Sequence, residues 1–416
     1  MVQPRGTSAF GRSGLEMREP LSLLLPLVLQ QKQMPFAQLR SRLGVPQIVA
    51  LLLLLVFVAQ CLWFTLRVPL SAEEGSYVEA GLLHLERLAN AGSSDRSPLV
   101  ALIGGLAARI SGAENRIVDL RDYRFVLRLP FVLVGFLLGA SLWHVARRLY
   151  GNIGGYIALA LYTFSPVIVA WSGQVGPGII AAWGGFGLIF TAIAAAHTLY
   201  APREVVLWNW RRILLLGLSI AICIGAQFSL WILLIPTLAF MLWVGHVRPG
   251  AALAIFAAAC LTAVILLWGL YSFRPAALGS ALRNATWLEA VTDGISGRAL
   301  TSLFAAFFLQ NGLGLVLLLA VTVVTFSAWK RTRFFGTAAP LIVGVLLVAA
   351  AARMQLAGLT LLLVALPFLI LFMAGVSADL LESRHALAAN TVIVGVVVAN
   401  AMLDVYGLLH LTSRSR

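Results

Sequence analysis

The sequence predicts an all-α, polytopic membrane protein, and three observations carry that expectation. Its 416 residues are 60% hydrophobic and only 11% charged, where soluble domains carry about 25% charged residues. The mean hydropathy is +0.93. The apolar residues fall in repeated runs of about 20, the length a helix needs to cross the hydrocarbon core. The runs lack the alternation over about 10 residues that marks a barrel strand. In lipid each spanning segment must satisfy its own backbone, which a helix does.

The net charge of +14 would suggest nucleic acid in a soluble chain. Here the basic residues gather in short loops between apolar runs, where they set topology, and no nucleic-acid role is expected. The three cysteines, Cys61, Cys223 and Cys260, all lie inside apolar runs, which argues against disulfides and thiolate metal sites.

Residues 1–44 carry Arg5, Arg12, Arg18, Lys32, Arg40 and Arg42. They read as a basic, disordered cytoplasmic leader, with Met34 as an alternative start. One transmembrane domain then covers 45–410, followed by a short tail, 411–416. Gln47–Leu66 runs outward. Phe125–Val145 runs inward to Arg147 and Arg148, and Ile153–Trp171 returns. Ile179–Leu199 runs inward. Ile213–Trp243 is too long for one helix and splits at Gln227 and Ser229. Ala251–Tyr271, Leu300–Ala328, Ala338–Ala352, Leu356–Val376 and Leu387–Leu409 complete about 11 spans.

Two outer loops interrupt this pattern, 67–125 and 272–299. The first holds Glu73, Glu74, Glu79, Glu86, Asp95, Glu114, Asp119 and Asp122, half of the chain's 16 acidic residues. Within it Glu74–Ala89 is amphipathic, as expected of a surface helix. Pro98–Ile110 is apolar but too short to span, and reads as interfacial or re-entrant. The segment S-A-E-E-G-S-Y, Ser71–Tyr77, places two adjacent carboxylates where the chain leaves the membrane, and is the first candidate for chemistry. Of the intramembrane polar residues, Asp404 either pairs with Arg353 or reaches interfacial water, and Gln227, Gln310 and Asn311 read as interhelical hydrogen bonders.

The order of these segments resembles the GT-C class of integral membrane glycosyltransferases, and more narrowly the bacterial branch of protein O-mannosyltransferases and lipid A sugar transferases. Glu73, Glu74 and Tyr77 match a D-E-x-x-Y-like motif after the first span, with Glu in the leading place. Arg96–Leu99, R-S-P-L, stands where the family has an H-P-P-L-like segment. Arg128, Leu129 and Pro130 open the next span and Arg147–Gly151, R-R-L-Y-G, close it. Ser165 and Pro166 precede the outer turn Trp171–Gly178, and Leu361–Phe372 is similar to the family's late Pro-containing helix.

The resemblance implies a sugar moved from a polyprenyl-phosphate donor to a glycan, lipid or protein acceptor on the outer face of a bacterial-type cytoplasmic membrane. It makes Glu73 the general base and Glu74 a ligand of Mg²⁺ or Mn²⁺, or a group that orients the acceptor. Tyr77 and Gln174 would contact substrate, and Arg96, Arg274, Arg283, Arg298 and Arg353 would meet the lipid phosphate. The alternative is a catalytically inactive GT-C-like protein that binds a lipid-linked glycan or a partner; a transporter or flippase ranks below both.

Overall fold

The structure is a computed structural model that describes residues 44–87, 97–112, 123–200, 210–271, 273–284, 315–328, 334–351, 358–383 and 386–414. The leader expected over 1–44 therefore lies almost wholly outside the described residues. The chain divides into two units, Met1–Ile48 and Val49–Arg416, and the helical bundle belongs to the second. Its described residues are 91% helical with no strand, so the fold class is all-α.

The helices are α1 (Val45–Arg67), α2 (Ala72–Arg87), α3 (Pro98–Ile110), α4 (Arg124–Thr163), α5 (Pro166–Ser172), α6 (Pro177–His197), α7 (Trp210–Ala226) and α8 (Leu234–Val244). They continue with α9 (Pro249–Leu270), α10 (Pro275–Asn284), α11 (Leu315–Ala328), α12 (Phe334–Ala351), α13 (Gly358–Leu381) and α14 (Ala386–Arg414). Among the described residues, 6 helices are long and apolar enough to cross a membrane, and shorter apolar helices lie between them. The protein is a multi-pass membrane protein on that composition.

One of the long helices is two spans. Tyr162 donates a 2.6 Å hydrogen bond to the carbonyl of Gly135, 27 residues earlier, a separation of about 40 Å along a straight helix. The Tyr162 ring also lies against Gly139, and Trp143 against Gly155. These pairs mark an antiparallel hairpin whose turn is Gly151, at φ 78° and ψ −174°, a left-handed conformation that glycine adopts without a Cβ clash. The turn follows the arginines of R-R-L-Y-G, where the sequence places a loop. A second turn falls at Gln227, extended at φ −158° and ψ 123° between α7 and a 3₁₀ turn over Phe228–Leu233 that leads into α8. The split expected at Gln227 and Ser229 is present. Gln227 Oε1, expected to bond between helices, is buried without a partner among the described residues, and Gln310 and Asn311 lie outside them.

The centre of the bundle is α13, whose apolar window is 94% buried. A helix apolar all round belongs inside, and α13 packs against α4, α6, α12 and α14. Phe368 stacks on Phe190 with centroids 5.9 Å apart and tilts against Phe186 at 5.4 Å. At the other extreme, the apolar window of α14 is only 6% buried and presents Val392, Val398, Met402 and Tyr406 outward. α1 turns Leu54, Phe57, Cys61 and Phe64 inward at spacings of three and four, with Leu51, Leu52, Leu55 and Val56 outward.

The short helices α2 and α3 cross at backbone contact. A Cβ on Gly81 would overlap the Ala101 carbonyl oxygen, and one on Gly105 would overlap the Gly81 carbonyl carbon. Only glycine permits that approach. The far end of α2 is tied down by His84, whose Nε2 lies 3.1 Å from the Leu270 carbonyl at the end of α9 and whose ring meets Tyr271 edge-on.

Candidate functional site

Helix α2 begins with a capping box. The Ser71 hydroxyl accepts from the Glu74 N–H at 3.2 Å, and the Glu74 carboxylate accepts from the Ser71 N–H at 2.8 Å. Two otherwise orphaned donors are satisfied reciprocally. The box fixes the rotation of α2, and the next two side chains then diverge by about 100°, the angle between neighbours in a 3.6-residue turn. Glu73 is exposed and Glu74 is buried.

Glu74 is bound on all sides. Arg128 Nε donates to Oε1 at 2.7 Å and Arg128 Nη2 to Oε2 at 2.6 Å. The Val175 N–H adds a 2.9 Å bond to Oε1. With the Ser71 N–H, each oxygen takes two donors, the capacity of a carboxylate. Arg128 is equally committed: Nη1 donates to the carbonyls of Val68 at 2.8 Å and Thr65 at 3.3 Å, and Nη2 to Pro69 at 3.0 Å. Every guanidinium N–H therefore has an acceptor. Side-chain exposure is 0% for Arg128 and 3% for Glu74. A bidentate pair this dry is strong and geometrically selective.

This knot joins the adjoining end of α1 and start of α2 to two pieces of chain distant in sequence, the start of α4 and the turn Gly173–Gly176. It leaves Glu73 on the exposed side of the first turn of α2, where the helix dipole favours a carboxylate. Tyr77, one turn on and half-buried, shares that face. Gln174 is half-buried on the turn whose next residue grips Glu74. Arg274 is half-buried just after α9, four residues beyond the carbonyl that His84 of α2 meets. Arg283 lies in α10. Arg96, Arg298 and Arg353 lie outside the described residues; Glu73 and Tyr77 stand one turn apart on α2, and Gln174 adjoins Val175, whose N–H meets Glu74.

The donors around Glu74 do not fit the cation expected there. Its lone pairs are taken, and a guanidinium occupies the place a metal ion would need. Among the described residues no group of three or more His, Cys, Asp and Glu is placed to hold a metal ion. Arg128, in the sequence only a part of the R-L-P segment, is the partner of Glu74. An arginine at the opening of an apolar span was the signal, since it needs a buried partner.

In fold the helical bundle is similar to GT-C membrane proteins. Solved structures similar to it include several of an oligosaccharyltransferase from Archaeoglobus fulgidus. One carries a tethered acceptor peptide with an NVT sequon, with a TM-score of 0.53 and 13% identity over 88% of this chain and 55% of that one. Another, of the oligosaccharyltransferase AglB with an inhibitory peptide and a dolichol-phosphate, has a TM-score of 0.53 and 12% identity over 88% and 56%. A third, with Zn and sulfate, has a TM-score of 0.52 and 14% identity over 87% and 52%. The chain thus spans little more than half the length of these proteins. No protein-family model matches the sequence, and no curated protein does.

Proposed function

We propose that this protein is a membrane glycosyltransferase that moves a sugar from a polyprenyl-phosphate donor to an acceptor hydroxyl or amine, on the outer face of a cytoplasmic membrane with the N-terminus inside. One observation carries the reading: within a GT-C fold, the buried Glu74–Arg128 pair holds the first turn of α2 against the Gly173–Gly176 turn and leaves Glu73 facing out. The dolichol-phosphate and peptide bound to AglB support a lipid-linked donor and an acceptor of that kind.

In the proposed step, Glu73 takes the proton of the acceptor as its oxygen or nitrogen attacks the anomeric carbon. The new bond forms there while the bond from that carbon to the phosphate oxygen breaks, and the leaving polyprenyl phosphate keeps the electron pair. Arg274 is the described arginine we assign to that phosphate. Glu74 acts as a positioning residue, and no step is routed through a divalent cation because its donor set does not fit one.

The test supplies the protein in nanodiscs with a panel of polyprenyl-phosphate sugars. Donor consumption that is lost in Glu73→Gln supports the mechanism. Consumption unchanged in that variant retains an enzyme but removes Glu73 from its chemistry. Tight donor binding without turnover favours the second reading, a non-catalytic binder of lipid-linked glycan, which the saturated carboxylate of Glu74 supports.

A further inference from the structure

Helix α2 is held at three places along its length. The knot fixes its first turn, Gly81 lies in backbone contact with α3, and His84 anchors its last turn. His84 is buried, at 5% exposure. Its Nε2 lies 3.1 Å from the Leu270 carbonyl. A carbonyl only accepts, so Nε2 carries a proton and donates it. The same ring meets Tyr271 edge-on, with centroids 5.7 Å apart.

What His84 grips is the turn that sets Arg274. Tyr271 is buried against Phe228 and packs with Leu278 of α10. Its carbonyl accepts from the Arg274 N–H at 3.1 Å, and the Arg274 carbonyl accepts from the Leu278 N–H at 3.2 Å, which opens α10. Between them Phe273 stands at φ 59°, where a bulky side chain is strained. Its N–H reaches back to the Trp268 carbonyl at 3.1 Å, and its ring meets that of Trp268 at 5.5 Å. A residue strained in this way persists only where its surroundings over-determine it. His84 supplies such a hold from outside the turn.

We propose that His84 is a positioning residue for the donor phosphate: by fixing Leu270 and Tyr271 it sets the backbone from which Arg274 reaches that group. This role rests on the glycosyltransferase reading, which assigns Arg274 to the phosphate. Glu73 and His84 are roughly 16 Å apart along the axis of α2. One rigid element therefore places the base at its start and registers the anion site from its end.

The probe is farnesyl phosphate, a short polyprenyl phosphate, titrated calorimetrically onto the full chain in nanodiscs against empty nanodiscs. Farnesol is the phosphate-free control. Arg274→Ala should weaken phosphate binding about tenfold or more, the loss of a charged hydrogen bond. His84→Ala should weaken it by about the same factor, leave farnesol binding unchanged, and add nothing in the Arg274→Ala background, because both act through one group. His84→Gln places its amide nitrogen as many bonds from Cα as Nε2 and should restore wild-type affinity; the shorter His84→Asn should not. That pair carries the test if His84→Ala fails to fold. A His84→Ala protein that binds like wild type, losses that add in the double variant, equal loss for farnesol, or Gln no better than Asn overturns the positioning role and leaves the donor reading standing. An Arg274→Ala protein that binds like wild type, or a wild type that ignores the phosphate, overturns the assignment of Arg274 and the role of His84 with it.

Discussion

Replacing Arg128 with methionine removes both charged bonds to Glu74 and the donors to Thr65, Val68 and Pro69. The carboxylate stays buried, with only the Ser71 and Val175 amides left to it. Breaking a buried ion pair from one side costs about 3–5 kcal/mol, because the remaining charge is stranded. The same cost is expected for Glu74→Met, which strands the guanidinium. Replacing both at once strands neither, so the double variant should lose less than the sum of the singles by about 2 kcal/mol or more. Denaturant unfolding of all four proteins in one detergent closes the cycle. Single variants within about 0.5 kcal/mol of wild type would place the pair in a wet surface site, and strict additivity would show that the two side chains do not act together. Either result refutes the reasoning built on this knot.

Glu73→Gln should lower sugar transfer about 10²–10⁴-fold, the usual worth of a general base, while costing no more than about 1 kcal/mol of stability through the lost helix-dipole interaction of an exposed carboxylate. Ser71→Ala removes the acceptor for the Glu74 N–H and should cost about 1 kcal/mol in denaturant unfolding. Gly81→Ala drives a methyl into the Ala101 carbonyl. It should cost about 1–3 kcal/mol, and limited proteolysis should cut near α2 sooner than in wild type.

The spans were legible because lipid imposes length and composition on each segment separately. Even the two turns inside long apolar stretches were marked, one by Arg147, Arg148 and Gly151, the other by Gln227 and Ser229. The site was legible only in part. Glu73 and Glu74 look equivalent as letters, and their fates diverge only through the rotation that Ser71 imposes on α2. The S-x-x-E spacing held that information. The partner of Glu74 could not be read at all, since Arg128 is 54 residues away and hydrophobic periodicity carries no record of which charges meet. The burial of Asp404 was hidden for the same reason: its helix has one inward stripe, and the pattern of Val, Ala and Leu around it does not single that stripe out.

The position of α13 has a consequence for how the protein is made. The innermost helix is among the last to be synthesised, and α6, whose Phe186 and Phe190 receive Phe368, leaves the ribosome far earlier. From His197 at the end of α6 to Gly358 at the start of α13 is 358 − 197 = 161 residues, or roughly 10–30 s of translation. During that interval Phe186 and Phe190 lack the ring of Phe368 that they meet in the finished bundle. A nascent chain halted before residue 358 therefore keeps the packing of α2 on α3 and of α6 on α7 but lacks the most deeply buried helix.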